Sequence, residues 1–163
     1  IFDGGRPGGV LRMSMPAFAA QNGNEHGGWF RTPVGTRRRF RLDFDVKPVA
    51  HQRPDQVHSA SFDGSPAWAS LAADPGGIIL YVPAAIALSS TRGTTVGQWQ
   101  HFQWFLDFTA AQTEVSVDGV TVLDGGIATG TATTIDFRFG WTQYNFDSPA
   151  VLLFDNVVLR EVP

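Results

Sequence analysis

Residues Arg39–Val46 limit most sharply what this chain can fold into. Phe40, Leu42, Phe44 and Val46 alternate without a break with Arg39, Arg41, Asp43 and Asp45. Successive side chains of a β-strand point to opposite faces. An unbroken period of two, apolar on one side and oppositely charged on the other, therefore predicts a strand with one buried and one wetted face.

The same period recurs along the chain. From Trp99 to Phe108, the residues Phe102, Trp104, Leu106 and Phe108 share one face, and Trp99, His101, Gln103, Phe105 and Asp107 share the other. In Val115-Ser116-Val117-Asp118-Gly119-Val120-Thr121-Val122, two alternating runs flank Asp-Gly. Those two residues accept the positive φ angles of a type I′ turn, so the segment predicts a β-hairpin. Further strands are expected at Val10–Met15, Gly28–Thr32, Val57–Phe62, Ala67–Leu71, Gly77–Val82, Thr134–Trp141 and Val151–Leu159. That gives roughly ten short strands separated by Gly, Pro, Asp and Ser clusters, the pattern of a sandwich or barrel. The only helical expectation is a single turn within Pro83–Ser89. The Gly-rich opening, residues 1–9, is expected to be loop or a loosely paired terminus.

At 163 residues the chain suits one domain, 1–163, without an internal repeat. Two stacked antiparallel sheets, a jelly-roll sandwich, suit that length better than a small barrel. The absence of cysteine excludes a disulfide scaffold and any thiolate metal site or nucleophile. A net charge of −3, with 17% charged residues, offers no whole-domain basic field for nucleic acid. No apolar run approaches the roughly 18 residues of a membrane span. Lys47 is the lone lysine among the twelve basic residues. A GC-rich genome is one reading of that bias, together with the high Ala and Gly content; the other is use, since arginine grips carboxylates in a bidentate way that lysine does not. The chain opens on Ile1, as would a chain trimmed of an export signal or excised from a larger protein; the expected location is extracellular or at the cell surface.

The order of elements resembles a known superfamily. Gly97-Gln98-Trp99-Gln100-His101-Phe102, then Leu106-Asp107-Phe108, then the Asp118-Gly119 hairpin and the closing Leu153-Phe154-Asp155-Asn156-Val157-Val158-Leu159, are similar to the concanavalin A-like lectins and glucanases. The resemblance implies an all-β, two-sheet antiparallel jelly-roll sandwich. The same fold carries lectins, hydrolases, lyases and adhesion modules, so it does not by itself imply an activity.

Two shorter matches resemble the alginate-lyase and heparin-lyase-I-like polysaccharide lyases. Gln56-Val57-His58 stands where those enzymes carry Gln-x-His, and Arg138-Phe139-Gly140 with Tyr144 stands for their basic residue–x–Gly with a nearby Tyr. Their Arg-x-Glu-x-Arg strand is represented only by Gly28-Trp29-Phe30-Arg31-Thr32, and Tyr144 lies further from the basic residue than in the motif. The activity implied is β-elimination from a uronate. Arg138 and Gln56 would neutralise the carboxylate, His58 or Tyr144 would remove the C5 proton, and Tyr144 would protonate the leaving oxygen at C4.

Other chemistries fit less well. His26, His51 and His101 lack ligand spacing for zinc, and no serine lies in a Gly-x-Ser-x-Gly elbow. Glu25, Glu114 and Glu161 do not form the carboxylate pair of a retaining glycosidase. Asp43 and Asp45, beside Arg39 and Arg41, read as a solvated face. Arg39 and Arg41, with Arg37 and Arg38, form a basic cluster able to hold an acidic polysaccharide. Trp29 and Trp99 are the tryptophans expected to present a stacking face to a sugar. Asp155 in the last strand, with Asp3 near the first, is the expected pair for a structural Ca2+, whose ligands are hard oxygens. The leading expectation is an extracellular carbohydrate-binding, lectin-like module whose partner is a polysaccharide or oligosaccharide, including an acidic one. The alternatives are a polysaccharide lyase and a structural or adhesive domain of a surface or virion assembly, including one excised from a larger chain.

Overall fold

The structure, a computed structural model, describes residues 2–3, 10–15, 26–50, 58–63, 68–82, 85–126, 135–143 and 150–163. Two antiparallel sheets contain all the strands among them. The seven-stranded sheet runs, in spatial order, β1 (Phe2–Asp3), β2 (Val10–Met15), β13 (Ala150–Glu161), β4 (Arg39–Ala50), β9 (Gln100–Asp107), β10 (Gln112–Val117) and β11 (Val120–Gly126). The six-stranded sheet runs β3 (His26–Gly35), β12 (Ile135–Gln143), β5 (His58–Asp63), β6 (Trp68–Asp74), β7 (Gly77–Val82) and β8 (Ala85–Ser90). The chain switches sheets repeatedly, which brings strands distant in sequence side by side, as in a jelly roll.

The alternation at Arg39–Val46 builds what it predicts. Phe40, Leu42, Phe44 and Val46 are buried, and they meet Leu106, Trp104, Phe102 and Gln100 across the β4–β9 ladder. From β10, Val115 and Val117 join the same buried layer. Its counterpart on the six-stranded sheet is Leu71, Ile78, Leu80, Phe137 and Phe139. The layers interlock through aromatic edges: Phe139 meets Phe154 at 5.0 Å and Phe44 at 5.3 Å, both ring pairs steeply inclined. That geometry lets each positive ring edge meet a negative ring face. Within the seven-stranded sheet, Phe44 stacks on Phe102 at 5.1 Å.

The hairpin also forms as expected. Asp118 and Gly119 have φ of 52° and 76°, and Val117 pairs with Val120. The expected helical turn within Pro83–Ser89 does not form: Ala85–Ser90 is strand β8, paired with β7. Ala and Leu favour a helix, but by only tenths of a kcal/mol per residue (~0–0.7), and pairing to the edge of β7 outweighs that preference. In the Gly-rich opening, Phe2–Asp3 pairs with β2 at Phe2↔Leu11 and Asp3↔Val10. Among the described residues no helix is long and apolar enough to cross a membrane.

Candidate functional site

The outer face of the six-stranded sheet collects the most suggestive residues, and strand register is what brings them there. Phe137 and Phe139 of β12 face the core, so Asp136, Arg138, Gly140 and Thr142 occupy the other face. Arg138 is paired with Arg31 of β3 on one side and Ser61 of β5 on the other. The row continues through Ser70 of β6 to Tyr81 of β7. Five strands thus contribute Arg31, Arg138, Ser61, Ser70 and Tyr81 to one line across the sheet. The next line pairs Asp136 with Asp63.

Two β-bulges place His58 on this face. Between Phe139 and Thr142 the β12–β5 ladder shifts, and a second shift between His58 and Ala60 displaces β5 against β6. His58 consequently stands opposite Thr142 and Ala72, both on the outer face. Without the bulges, simple alternation from Ala60, the partner of core-facing Phe139, would put His58 on the inner face. Trp29 shares the outer face and pairs with Gly140. Strand β6 is buried on both sides: Ala69, Leu71 and Ala73 toward the core, and Ser70 and Ala72 on the outer face. Gln56 and Tyr144, two further expected site residues, lie outside the described residues. Gln56 is two positions before His58, and Tyr144 directly follows Gln143 at the end of β12.

The remaining expected site residues belong to the seven-stranded sheet. Arg39 and Arg41 project from the outer side of β4, on the far side of the sandwich from His58 and Arg138. They are engaged within the protein. Arg39 Nε lies 2.9 Å from Asp107 Oδ2 as an ion pair, without the alignment of a hydrogen bond. Arg39 Nη1 also donates to the Pro163 carbonyl. Arg41 donates to Asp43 Oδ1 at 3.2 Å, as does Gln103 at 3.0 Å. His101 Nδ1 bonds Asp45 Oδ1 at 2.7 Å, and Asn156 Nδ2 donates to Asp45 Oδ2 at 2.6 Å. Asp43 and Asp45 therefore hold a cross-strand network rather than simply facing solvent. Trp99 is half-buried at the entrance to β9.

Asp3 of β1 pairs with Val10 of β2, and Asp155 lies on β13, whose ladder to β2 runs from Ala150↔Met15 to Phe154↔Leu11. Asp155 Oδ1 accepts the Asn156 amide at 2.8 Å, beside a bulge where Asn156 has a φ of 51°. Two carboxylates would supply only part of the six to eight oxygens that calcium takes. No group of three or more His, Cys, Asp or Glu side chains among the described residues is gathered to hold a metal.

Sequence reasoning missed Arg31 as the cross-strand partner of Arg138, and Gly140 as the position beside Trp29. Both depend on register, which alternation within one strand does not reveal.

No protein-family model and no curated protein sequence matches the chain. Solved structures do. The cellulose induced protein Cip1 superposes with a TM-score of 0.67 at 12% identity, over 94% of this chain and 86% of that one. The family 7 alginate lyase A1-II′ gives a TM-score of 0.67 at 11% identity, over 94% and 80%. A sialidase gives 0.63 at 14% identity over 96% of this chain, which spans only 16% of the sialidase's length. At such identities the likeness establishes the fold, a concanavalin A-like sandwich, as the element order implied.

Proposed function

We propose that the protein binds an acidic polysaccharide across the outer face of its six-stranded sheet, acting as a lectin-like module. One observation carries this function: register gathers Trp29, Arg31, His58 and Arg138, from three adjacent strands, on that face. Two arginines directly opposite each other repel, a cost that a carboxylate seated between them offsets. Guanidinium groups bind carboxylates in a bidentate way, and an aromatic neighbour supplies a stacking face for a sugar ring. An alginate lyase is among the solved structures that share this fold.

Binding to immobilised alginate and pectate, with a neutral β-glucan as control, tests the proposal. Retention on the two polyuronates, weakened by salt and by Arg31→Ala, is the expected result. Equal retention on the neutral glucan, or none on either polyuronate, overturns it.

A second function, β-elimination, is favoured by the placement of His58 opposite Thr142 on the same face as Arg138. His58 would take the C5 proton as the C4–O bond breaks, and Arg138 would hold the carboxylate. Tyr144 would return a proton to the leaving oxygen. The unsaturated uronate product absorbs in the ultraviolet. A rise in absorbance with alginate that His58→Ala abolishes would establish catalysis, and a flat trace with bound polymer leaves binding alone.

A further inference from the structure

The outer face of the seven-stranded sheet carries charges in an order fixed by strand register. Arg160 of β13 pairs with Arg41 of β4, and Arg41 with Phe105 of β9. Phe105 in turn pairs with Glu114 of β10, and Glu114 with Asp124 of β11. One line across the sheet therefore reads Arg-Arg-Phe-Glu-Asp and spans about 19 Å, at about 4.8 Å per strand. The four charged side chains are exposed, and Phe105 between them is half-buried. Like charges directly opposite each other on neighbouring strands destabilise a sheet. This line holds one such pair of each sign, and the chain does not cancel them. Among the described residues, Arg160 and Asp124 enter no ion pair and no side-chain hydrogen bond. Arg41 spends Nε and Nη2 on one oxygen of Asp43, which leaves Nη1 for another acceptor. Glu114 accepts the Ser116 and Thr121 hydroxyls on Oε1 alone. The neighbouring acids Asp43 and Asp45 are already held by Arg41, Gln103, His101 and Asn156.

We infer that this face binds a second copy of the chain in a two-fold dimer. A two-fold axis lying in the interface, parallel to the strands and over Phe105, turns the line end for end. It sets Arg160 of each copy against Asp124 of the other, and Arg41 against Glu114, with the two Phe105 rings meeting at the axis. A two-fold interface uses one patch on both copies, so the patch must complement itself. A line that is basic at one end, acidic at the other and aromatic at its centre does so. An axis across the strands would instead set arginine against arginine. A patch of this width lies at the small end of stable interfaces, so the dimer is reversible. Its contacts are exposed ion pairs, so salt weakens it. Each six-stranded sheet is left facing outward. The dimer therefore presents two glycan-binding faces, a consequence that rests on the proposed function, whereas the pairing does not.

Sedimentation velocity without any sugar tests the pairing, on the wild type, Arg160→Glu, Asp124→Arg and an equimolar mixture of the two variants. At low salt the wild type should move from the monomer mass toward twice that mass as its concentration rises. At about 1 M salt, where charges are screened beyond about 3 Å, it should return to the monomer. Each variant alone should associate about tenfold or more weakly, because one reversal makes two symmetry-related contacts repulsive. The mixture should regain the dimer, since the two reversed charges then oppose each other and every contact is attractive again. Both variants should melt with the wild type, as neither side chain has a partner among the described residues. A wild type that stays monomeric at low salt up to millimolar concentration overturns the inference. So does a dimer indifferent to salt, a variant that dimerises like the wild type, or a mixture that associates no better than its components. If a variant fails to fold, the salt series on the wild type decides alone. A missing dimer leaves the proposed function standing, and a failure to bind polyuronate leaves the dimer standing.

Discussion

Replacing Thr113 with valine isolates one polar contact in the core at almost constant shape. Thr113 and Trp104 are each 1% exposed. The Thr113 hydroxyl accepts the Trp104 indole N–H at 2.9 Å and donates to the Phe105 carbonyl at 3.0 Å. In Thr113→Val no cavity opens, so the cost is polar. Leaving the indole N–H buried without a partner costs about 1–3 kcal/mol, and losing the bond to the carbonyl adds about 1 kcal/mol. Burying a methyl in place of the hydroxyl returns about 0.8 kcal/mol. The net loss is about 1–3 kcal/mol, which for a chain of this size lowers the melting temperature by roughly 3–9 °C. Urea unfolding followed by circular dichroism measures it. A double-mutant cycle with Trp104→Phe assigns the loss to the pair, because the second change should cost about 1 kcal/mol less once Thr113 is gone. A Thr113→Val protein as stable as the wild type, or a cycle with no coupling, would refute the account of this contact.

Three further stability predictions concern the core and its turns. Phe44→Ala removes a ring packed against Phe102, Phe139 and Phe154. It should cost about 3–5 kcal/mol, a large share of a typical domain's stability, and be visible as a fall in the urea midpoint. Gly119→Ala should cost about 1–2 kcal/mol, since the left-handed backbone is strained for alanine but the space around it is open. Gly77→Ala should cost more, because its Cβ would meet the Ser90 carbonyl oxygen of β8, a backbone atom that cannot swing aside. Thermal melts of the two variants side by side check that order.

Much of the fold is written into local pattern. The alternation at Arg39–Val46 and Trp99–Phe108 names the core residues of β4 and β9, and Asp118-Gly119 names the turn, because each depends only on neighbours in sequence. What is not written locally is which sheet a strand joins. Arg39 and Arg41 look as suited to an acidic sugar as Arg138 does. They lie on the opposite side of the sandwich, held by Asp107 and Asp43, residues whose positions depend on long-range pairing. Trp29 and Trp99 are separated for the same reason. His58 reaches the outer face through two bulges, each a one-residue slip without a distinctive sequence mark. Strand β8 shows the limit of propensity, since its residues suit a helix and become a strand once β7 offers an unpaired edge.

The most direct test of the central claim sets one arginine from each sheet against the other. Arg138→Ala and Arg41→Ala remove the same charge from the six-stranded and the seven-stranded sheet, and each is titrated with alginate oligosaccharides at one salt concentration. The account predicts that Arg138→Ala weakens binding about tenfold or more while Arg41→Ala, whose partner is Asp43, leaves it within about twofold. Equal losses in the two variants, or a larger loss for Arg41→Ala, would move the binding surface to the other sheet and contradict the claim.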